Sequence, residues 1–140
     1  MSEHAEKNAR AHLESIIQGL KELRRADAIY GEIEVDLGDG PEELLGYEIR
    51  ERLEQSALEV SVRSGWHAPG SNDGKPEEYS ILLTTGGPAL RVTGTLEDCE
   101  PDSVRLQHQD WGEPWTDLHT TREEDEALLE FARLFYYCED

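Results

Sequence analysis

The sequence is short of basic residues, of cysteine and of long apolar runs. Thirteen lysine and arginine residues, only three of them lysine, face 32 acidic residues, so the net charge is −19. No apolar run is long enough to cross a bilayer, and the N-terminal region is charged from Glu3 onward, unlike a signal peptide. We therefore predict a cytoplasmic protein without a membrane contact. Cys99 and Cys138 are too few for a disulfide framework, and in the cytoplasm we expect both to be free thiols.

Motifs for metal binding or catalysis are also missing. The five histidines are scattered, and the chain contains no CxxC, HxxxH or HExxH spacing. The GGPAL segment lacks the lysine of a phosphate-binding loop, and a strand rather than a helix is expected to follow it. No nucleophile motif such as GxSxG is present. We therefore expect a protein that is not an enzyme and that binds no metal or cofactor.

The acidic charge is unevenly distributed. Residues 1–27 hold five acidic and five basic residues, so residues 28–140 carry the whole net charge of −19. Such a body repels nucleic acids and anionic membranes, and it attracts basic surfaces, including those that bind nucleic acid. The acidic residues cluster in three runs: Glu32, Glu34, Asp36, Asp39, Glu42 and Glu43; Glu97, Asp98, Glu100 and Asp102; and Glu123, Glu124, Asp125 and Glu126. These runs form the predicted partner-binding surface, and the simpler interpretation is that they only keep the surface solvated.

Alternating apolar and polar side chains predict an antiparallel sheet in the middle of the chain. The two halves of residues 79–96 alternate in this way around Gly86-Gly87, which suits a tight hairpin turn. The same alternation over residues 58–63 and 103–108 adds one strand before and one after this hairpin. A four-stranded antiparallel meander is therefore expected.

Helical periodicity surrounds this sheet. Apolar residues spaced by three and four predict helices at residues 3–25, at about 41–55 and at about 122–137. Ser2 and Asp39 suit the N-caps of the first two helices, and Thr120 and Thr121 both match a capping box for the third. A short edge strand around Ile33–Leu37 is expected before the second helix. We predict that residues 1–140 form one α+β domain, a two-layer sandwich with the helices packed on one face of the meander, in the order α-(β)-α-β-β-β-β-α.

Three arginines are predicted to share the sheet face opposite the helices: Arg63, Arg91 and Arg105. They are candidate anion-binding residues, which would suit a small-ligand or peptide-binding module. The simpler interpretation is that they pair across strands with Glu59 and other nearby acidic residues. The strands carry no aromatic pair of the kind that sheet-based RNA binders use, so we expect no direct binding of nucleic acid.

Three tryptophans lie in two loops: Trp66, Trp111 and Trp115. In a meander the ends of the first and fourth strands lie at opposite poles of the sheet, so these loops are not expected to form one pocket. Each tryptophan is expected to cover its own end of the core. The alternative is that they form a hot spot for a partner, where tryptophan is enriched.

Four segments resemble a known family: SGWHAPG, PEEYSILLTTGGPALRVTG, QDWGEPWT and EEDEALLEFARLFYY. They are similar to small acidic proteins that plasmids and integrative elements of Gram-negative bacteria carry, and the resemblance covers residues 1–138. It implies no functional residues. It does imply a context, because mobile elements often encode small acidic proteins that block host defence, such as DNA mimics against restriction enzymes and anti-CRISPR proteins.

Three hypotheses follow from these patterns. The first is a non-enzymatic binding protein whose acidic surface docks on a basic, nucleic-acid-binding defence protein. The second is a small-ligand or peptide-binding module that uses the arginines of the open sheet face. The third is an accessory subunit that forms a homodimer through the N-terminal helix.

Overall fold

The fold is α+β, as predicted. The computed structural model describes residues 3–38, 40–70, 75–85 and 88–138. Its elements, in chain order, are α1 (Glu3–Ile29), β1 (Ile33–Asp36), β2 (Pro41–Leu44), α2 (Gly46–Gln55), β3 (Glu59–Arg63), β4 (Glu78–Thr84), β5 (Ala89–Glu97), β6 (Glu100–Pro101), β7 (Arg105–Gln109), β8 (Thr116–Asp117) and α3 (Arg122–Ala132).

The main sheet contains the predicted antiparallel meander. Its strand order is β3-β4-β5-β7-β8, and β6 pairs with the end of β5. The two-residue strands β6 and β8 are additions that the alternation of side chains did not predict. In the central hairpin, Tyr79 and Ile81 of β4 and Leu90 and Val92 of β5 are buried on one face, as expected. The predicted turn at Gly86-Gly87 lies outside the described residues.

The helices form the second layer. α1 contacts both α2 and α3 and also β7, and its buried side chains include Leu13, Ile16 and Leu20. It ends four residues later than predicted, at Ile29, and its predicted cap Ser2 falls outside the described part of the chain. A Cβ at Gly19 would lie 2.6 Å from Leu53 Cδ2 of α2, so glycine lets the two helices approach closely. None of the helices that the structure describes is both long and apolar enough to cross a membrane.

The second helix begins later than predicted, which is a correction. Residues Pro41–Leu44 are strand β2, which pairs antiparallel with β1 to form a separate two-stranded sheet. α2 begins at Gly46 after Leu45, whose amide donates to Glu48 Oε1 at 3.0 Å. The Pro-Glu-Glu sequence suits either a helix start or an edge strand, and the burial of Leu44 beside Ile33 favours the strand. The proposed cap Asp39 lies outside the described ranges.

The C-terminal segment differs from the prediction in two respects. α3 ends at Ala132 rather than near Tyr137, and residues 133–138 turn back toward the sheet. The Tyr137 ring packs 5.2 Å from that of Tyr79, centroid to centroid, and Cys138 forms a disulfide with Cys99. The expectation of two free thiols is therefore wrong, because the fold brings together two cysteines that are 39 residues apart in the chain.

Candidate binding surfaces

The structure places all three predicted arginines on the open face of the main sheet, one on each of β3, β5 and β7. Cross-strand neighbours order this face into rows, in which Ser61 lies opposite Ser80, Ser80 opposite Thr93, and Thr93 opposite Arg105. Arg63 lies opposite Glu78 at one end of these rows. The open face is therefore polar and carries hydroxyl groups between its arginines.

Arg63 is engaged in a cross-strand ion pair, which is the simpler of the two interpretations for this residue. Its Nε donates to Glu78 Oε2 at 2.6 Å, and its Nη2 donates to Oε1 of the same carboxylate at 3.2 Å. The hydrogen bond from Arg63 lowers the pKa of Glu78. The predicted partner Glu59 is not involved.

Arg91 is held in place without a carboxylate of its own. Its Nε donates to Gln107 Oε1 at 2.8 Å, and Gln107 Nε2 donates in turn to Asp117 Oδ1 at 2.7 Å. The Trp115 ring lies 4.1 Å from the guanidinium carbon, which is a cation–π contact. Burial and then the positive charge of Arg63 lower the pKa of Arg91. The sequence offered no sign of this tryptophan–arginine contact, because it joins a loop to the middle of a strand.

A shallow depression of about 280 Å³ lies between Arg63 and Arg91 on this open face, with Ser61, Ser80 and Thr93 also lining it. The Nη groups of Arg91 donate no hydrogen bond among the described residues, and Arg105 has no described partner either. The arrangement presents guanidinium N–H groups and hydroxyls to solvent, which is the chemistry that binds carboxylate or phosphate oxygens.

None of the three tryptophans covers its end of the core as expected, and Trp115 lies against Arg91 on the open sheet face. Trp66 is fully exposed in the loop after β3, and Trp111 is exposed in the loop after β7. Loops carry no periodicity from which burial can be read, so the sequence did not distinguish a core residue from a surface one here. The pairings of β3 with β4, β4 with β5 and β5 with β7 are all antiparallel, so the ends of β3 and β7 lie at opposite poles of the sheet, as the meander predicts.

The first acidic run is concentrated on the β1–β2 hairpin. Glu34 of β1 and Glu43 of β2 lie directly opposite each other, and both are exposed. Glu32 and Asp36 are exposed on the same side, and we call these four residues the hairpin carboxylates. Arg25 donates to the backbone carbonyl of Glu34 at 2.8 Å rather than to its carboxylate.

Glu42 is the exception on the hairpin, since it points to the helical side. Arg52 of α2 donates to both of its carboxylate oxygens, at 3.0 and 2.8 Å. This hydrogen bonding lowers the pKa of Glu42, while the nearby charge of Asp36 opposes the shift. Glu42 therefore fastens the hairpin to α2.

The other two acidic runs are largely used within the fold. Around the β5–β6 turn, Asp98 pairs with Lys75 at 3.2 Å and Glu100 with Arg133 at 3.5 Å. In the first turn of α3, Glu124 bonds to Arg10 and closes a capping box with Thr121. These two runs lie at opposite ends of α3, about 15 Å apart at 1.5 Å per residue. Their remaining members partly pair too: Asp102 with Thr95, Asp125 with Thr120 and Glu126 with Arg122.

A cavity of about 390 Å³ lies between α1, α2 and the β1–β2 hairpin. His12, Asp36 and Arg52 line its polar part, and Ile16 and Leu53 its apolar part. Burial lowers the pKa of His12 from its usual value of 6.5, so the ring is neutral at pH 7. The described residues contain no group of three or more histidine, cysteine, aspartate or glutamate side chains that could hold a metal ion.

Comparison with family models, with curated proteins and with solved structures gives no match to this chain.

The resemblance to small acidic proteins of mobile elements therefore stays a prediction. Three surfaces of the described structure are candidates for binding: the hairpin carboxylates, the depression between Arg63 and Arg91, which we call the arginine depression, and α1. The large apolar residues of α1 face the core except Ile29 at its C-terminal end. α1 therefore offers no exposed apolar stripe along its length for the predicted homodimer.

Proposed function

We propose that this chain is a non-enzymatic binding protein that docks the hairpin carboxylates on a basic surface of a partner protein. The class of partner that fits is a nucleic-acid-binding protein of host defence, such as a restriction or CRISPR effector, whose basic groove is made for negative charge. The acidic body would neither bind nucleic acid nor approach an anionic membrane.

The observation that carries this proposal is the Glu34–Glu43 pair. Like charges directly opposite each other on neighbouring strands destabilise a sheet. The two carboxylates have no counter-ion among the described residues, although Arg25 and Arg52 lie close to the hairpin. A basic partner that neutralises the pair would relieve this repulsion, so docking and hairpin stability would favour each other.

The geometry of the hairpin also suits recognition of a regular basic surface. Side chains two residues apart on one strand face are about 6.8 Å apart, and opposite side chains on neighbouring strands are about 5 Å apart. Glu34 and Glu43 therefore bring two negative charges close together on the hairpin. Electrostatic steering by these charges would make association fast and sensitive to salt.

The test is competition for DNA binding by a panel of purified restriction and CRISPR effector proteins, at about 50 and 200 mM NaCl, where electrostatic complexes differ strongly in affinity. We expect inhibition of at least one member, weaker at the higher salt. E34Q/E43Q should weaken the inhibition, and E97Q/E123Q is the matched control. Glu97 and Glu123 are exposed, have no described partner, and their replacement changes the net charge by the same amount.

Three outcomes would contradict the proposal: inhibition of no panel member, inhibition that does not change with salt, or equal loss in the two double variants. The proposed cytoplasmic location needs its own test, since disulfides are rare in that compartment and the Cys99–Cys138 bond weighs against it. Thiols are alkylated in intact cells before lysis and the protein is examined by mass spectrometry. Alkylated Cys99 and Cys138 would support a reducing compartment such as the cytoplasm, and an intact disulfide would contradict it.

A second candidate function is binding of a small anion or a peptide carboxylate at the arginine depression. The specific observation is that Gln107 and Trp115 hold Arg91 while its Nη groups donate no hydrogen bond among the described residues. A thermal shift produced by phosphate, sulfate or a short peptide should be lost in R91A and kept in R122A. Arg122 is an exposed arginine of α3 that, among the described residues, pairs with Glu126 of its own helix, so R122A removes the same charge elsewhere. No shift with any of these probes would exclude this function.

A further inference from the structure

Strand β3 is an open edge of the main sheet. It pairs with β4 on one side, and no described strand pairs with its other side. The Arg63 carbonyl accepts a hydrogen bond from the Glu77 amide on the β4 side at 2.9 Å. Because backbone groups alternate sides along a strand, Val60 and Val62 direct their amide and carbonyl groups toward the free edge. Neither proline nor lysine, the usual protections of an edge, occurs in β3.

The helical layer leaves the apolar side of β3 uncovered. Val60 lies opposite the fully buried Ile81, on the face that the helices cover elsewhere, yet Val60 is 37% exposed. Leu58, which directly precedes the strand, is 59% exposed, and Val62 is half-buried. Open backbone groups and uncovered apolar side chains therefore coincide on one strand.

We propose that a second copy of this chain covers this edge, by antiparallel pairing of the two β3 strands about a two-fold axis at Ser61. In this register Val60 of each copy lies opposite Val62 of the other, and their outward backbone groups bond to each other. Ser61 lies opposite its own counterpart. The two sheets would then form one continuous sheet, and the uncovered apolar side chains would pack together.

Charge complementarity selects this register. Glu59 of each copy lies opposite Arg63 of the other, and Glu59 has no described partner within its own chain. Arg63 would lie between Glu78 of its own chain and Glu59 of the second copy. A register shifted by two residues still allows hydrogen bonds between the outward backbone groups, but it places Ser61 opposite Glu59 or Arg63. Only the register centred on Ser61 forms both ion pairs.

The net charge of −19 on each copy opposes the dimer, so its affinity should rise with salt. The Debye length falls from about 10 Å at 0.1 M to about 3 Å at 1 M, which screens the two bodies more than groups in contact. A five-residue strand pair is a small interface, so we expect a weak dimer that forms at micromolar to millimolar concentration. This inference is independent of the proposed acidic docking.

The register is tested by cross-linking with a new cysteine at the axis. Residues in a non-hydrogen-bonded antiparallel pair have Cα atoms about 4.5 Å apart, which allows a disulfide. Because Cys99 and Cys138 bond to each other, S61C adds the one reactive thiol of the described chain. Under mild oxidation S61C should form a covalent dimer. The matched control S80C, on the same face but one strand further in, should form about tenfold less. Equal cross-linking of the two variants would overturn the proposal.

Sedimentation equilibrium tests the ion pairs. E59R should weaken the dimer about tenfold, which corresponds to about 1.4 kcal/mol, because the introduced guanidinium would face Arg63 of the second copy. E59R/R63E should restore most of the affinity. E14R, which changes the net charge equally on an exposed position of α1, should not weaken the dimer. A monomer at every concentration up to about 1 mM in high salt, or equal behaviour of E59R and E14R, would contradict the proposal.

Discussion

Removal of the Cys99–Cys138 disulfide is expected to destabilise the fold by about 4 kcal/mol. The bond joins residues 39 positions apart, and the loop-closure relation for that length gives about 13 cal/mol/K of lost entropy in the unfolded chain. An unfolding entropy of about 2.1 cal/mol/K per residue gives about 290 cal/mol/K for the whole chain. The expected fall in Tm is therefore about 13 °C.

The bond also connects two features that depend on each other. Asp98 and Cys99 form the two-residue turn between β5 and β6 with positive φ angles of 50° and 66°, a conformation that favours glycine or asparagine. The C-terminal segment carries the buried Tyr137, whose hydroxyl donates to the Ala132 carbonyl at 2.6 Å. Without the bond, the turn keeps its unfavourable backbone and Tyr137 loses a neighbouring anchor.

Two variants separate these contributions when unfolding is followed by calorimetry and in urea. C99S/C138S removes the bond and keeps a side chain at the left-handed position. C99G/C138S removes the same bond but places glycine at position 99. Its free energy of unfolding should therefore be about 1 kcal/mol higher than that of C99S/C138S. If C99S/C138S unfolds within about 1 kcal/mol of the native chain, the loop-closure reasoning fails. If glycine gives no advantage over serine, the argument about the turn fails.

Three further perturbations test local contacts. G94A should destabilise the chain by about 2 kcal/mol in urea, because a Cβ there would collide with the Ser103 carbonyl. T121A should cost about 1 kcal/mol, because the Thr121 hydroxyl accepts from the amide of Glu124 in the α3 cap. The hydrogen bond with the Thr121 backbone, and then the one from Arg10, lower the pKa of Glu124 in the folded state. The stability it supplies is therefore complete above the usual pKa of 4.5 and is lost as the pH falls through the lower folded value, so E124Q should reduce the loss of stability between pH 5 and 3.

The regular parts of the fold were predictable because their burial follows a period. The two halves of residues 79–96 alternate on either side of the turn, and the structure buries Ile81 and Val92 on the predicted face. The spacing in α1 likewise identifies Leu13 and Leu20 as core residues. The start of α2 was not predictable, since the signals of a helix N-terminus and of a short edge strand coincide at Pro41 and only contact with β1 distinguishes them.

The candidate surfaces were predictable only where residues lie on regular strands. The alternation of side chains along the strands places Arg63, Arg91 and Arg105 on one face of the sheet, as the structure shows. The contact between Arg91 and Trp115 and the bond between the cysteines depend on where irregular segments return in space. Local sequence does not show which distant segments meet in the fold. The prediction of free thiols, which was based on composition, was therefore wrong.

The edge dimer and the hairpin carboxylates would act together on a partner that presents two basic sites. Pairing through β3 fixes two copies of the hairpin on one rigid body, so docking of the second hairpin becomes intramolecular at an effective concentration of about millimolar. E59R, which removes only the pairing, should then weaken binding to a dimeric basic partner and leave binding to its monomeric form unchanged. E34Q/E43Q should weaken both, because it removes the contact itself. Surface plasmon resonance separates bivalent from monovalent binding: a partner immobilised at high density offers two neighbouring sites to one dimer, and a partner at low density offers one. Equal effects of E59R at both densities would mean that the β3 edge does not contribute through bivalence.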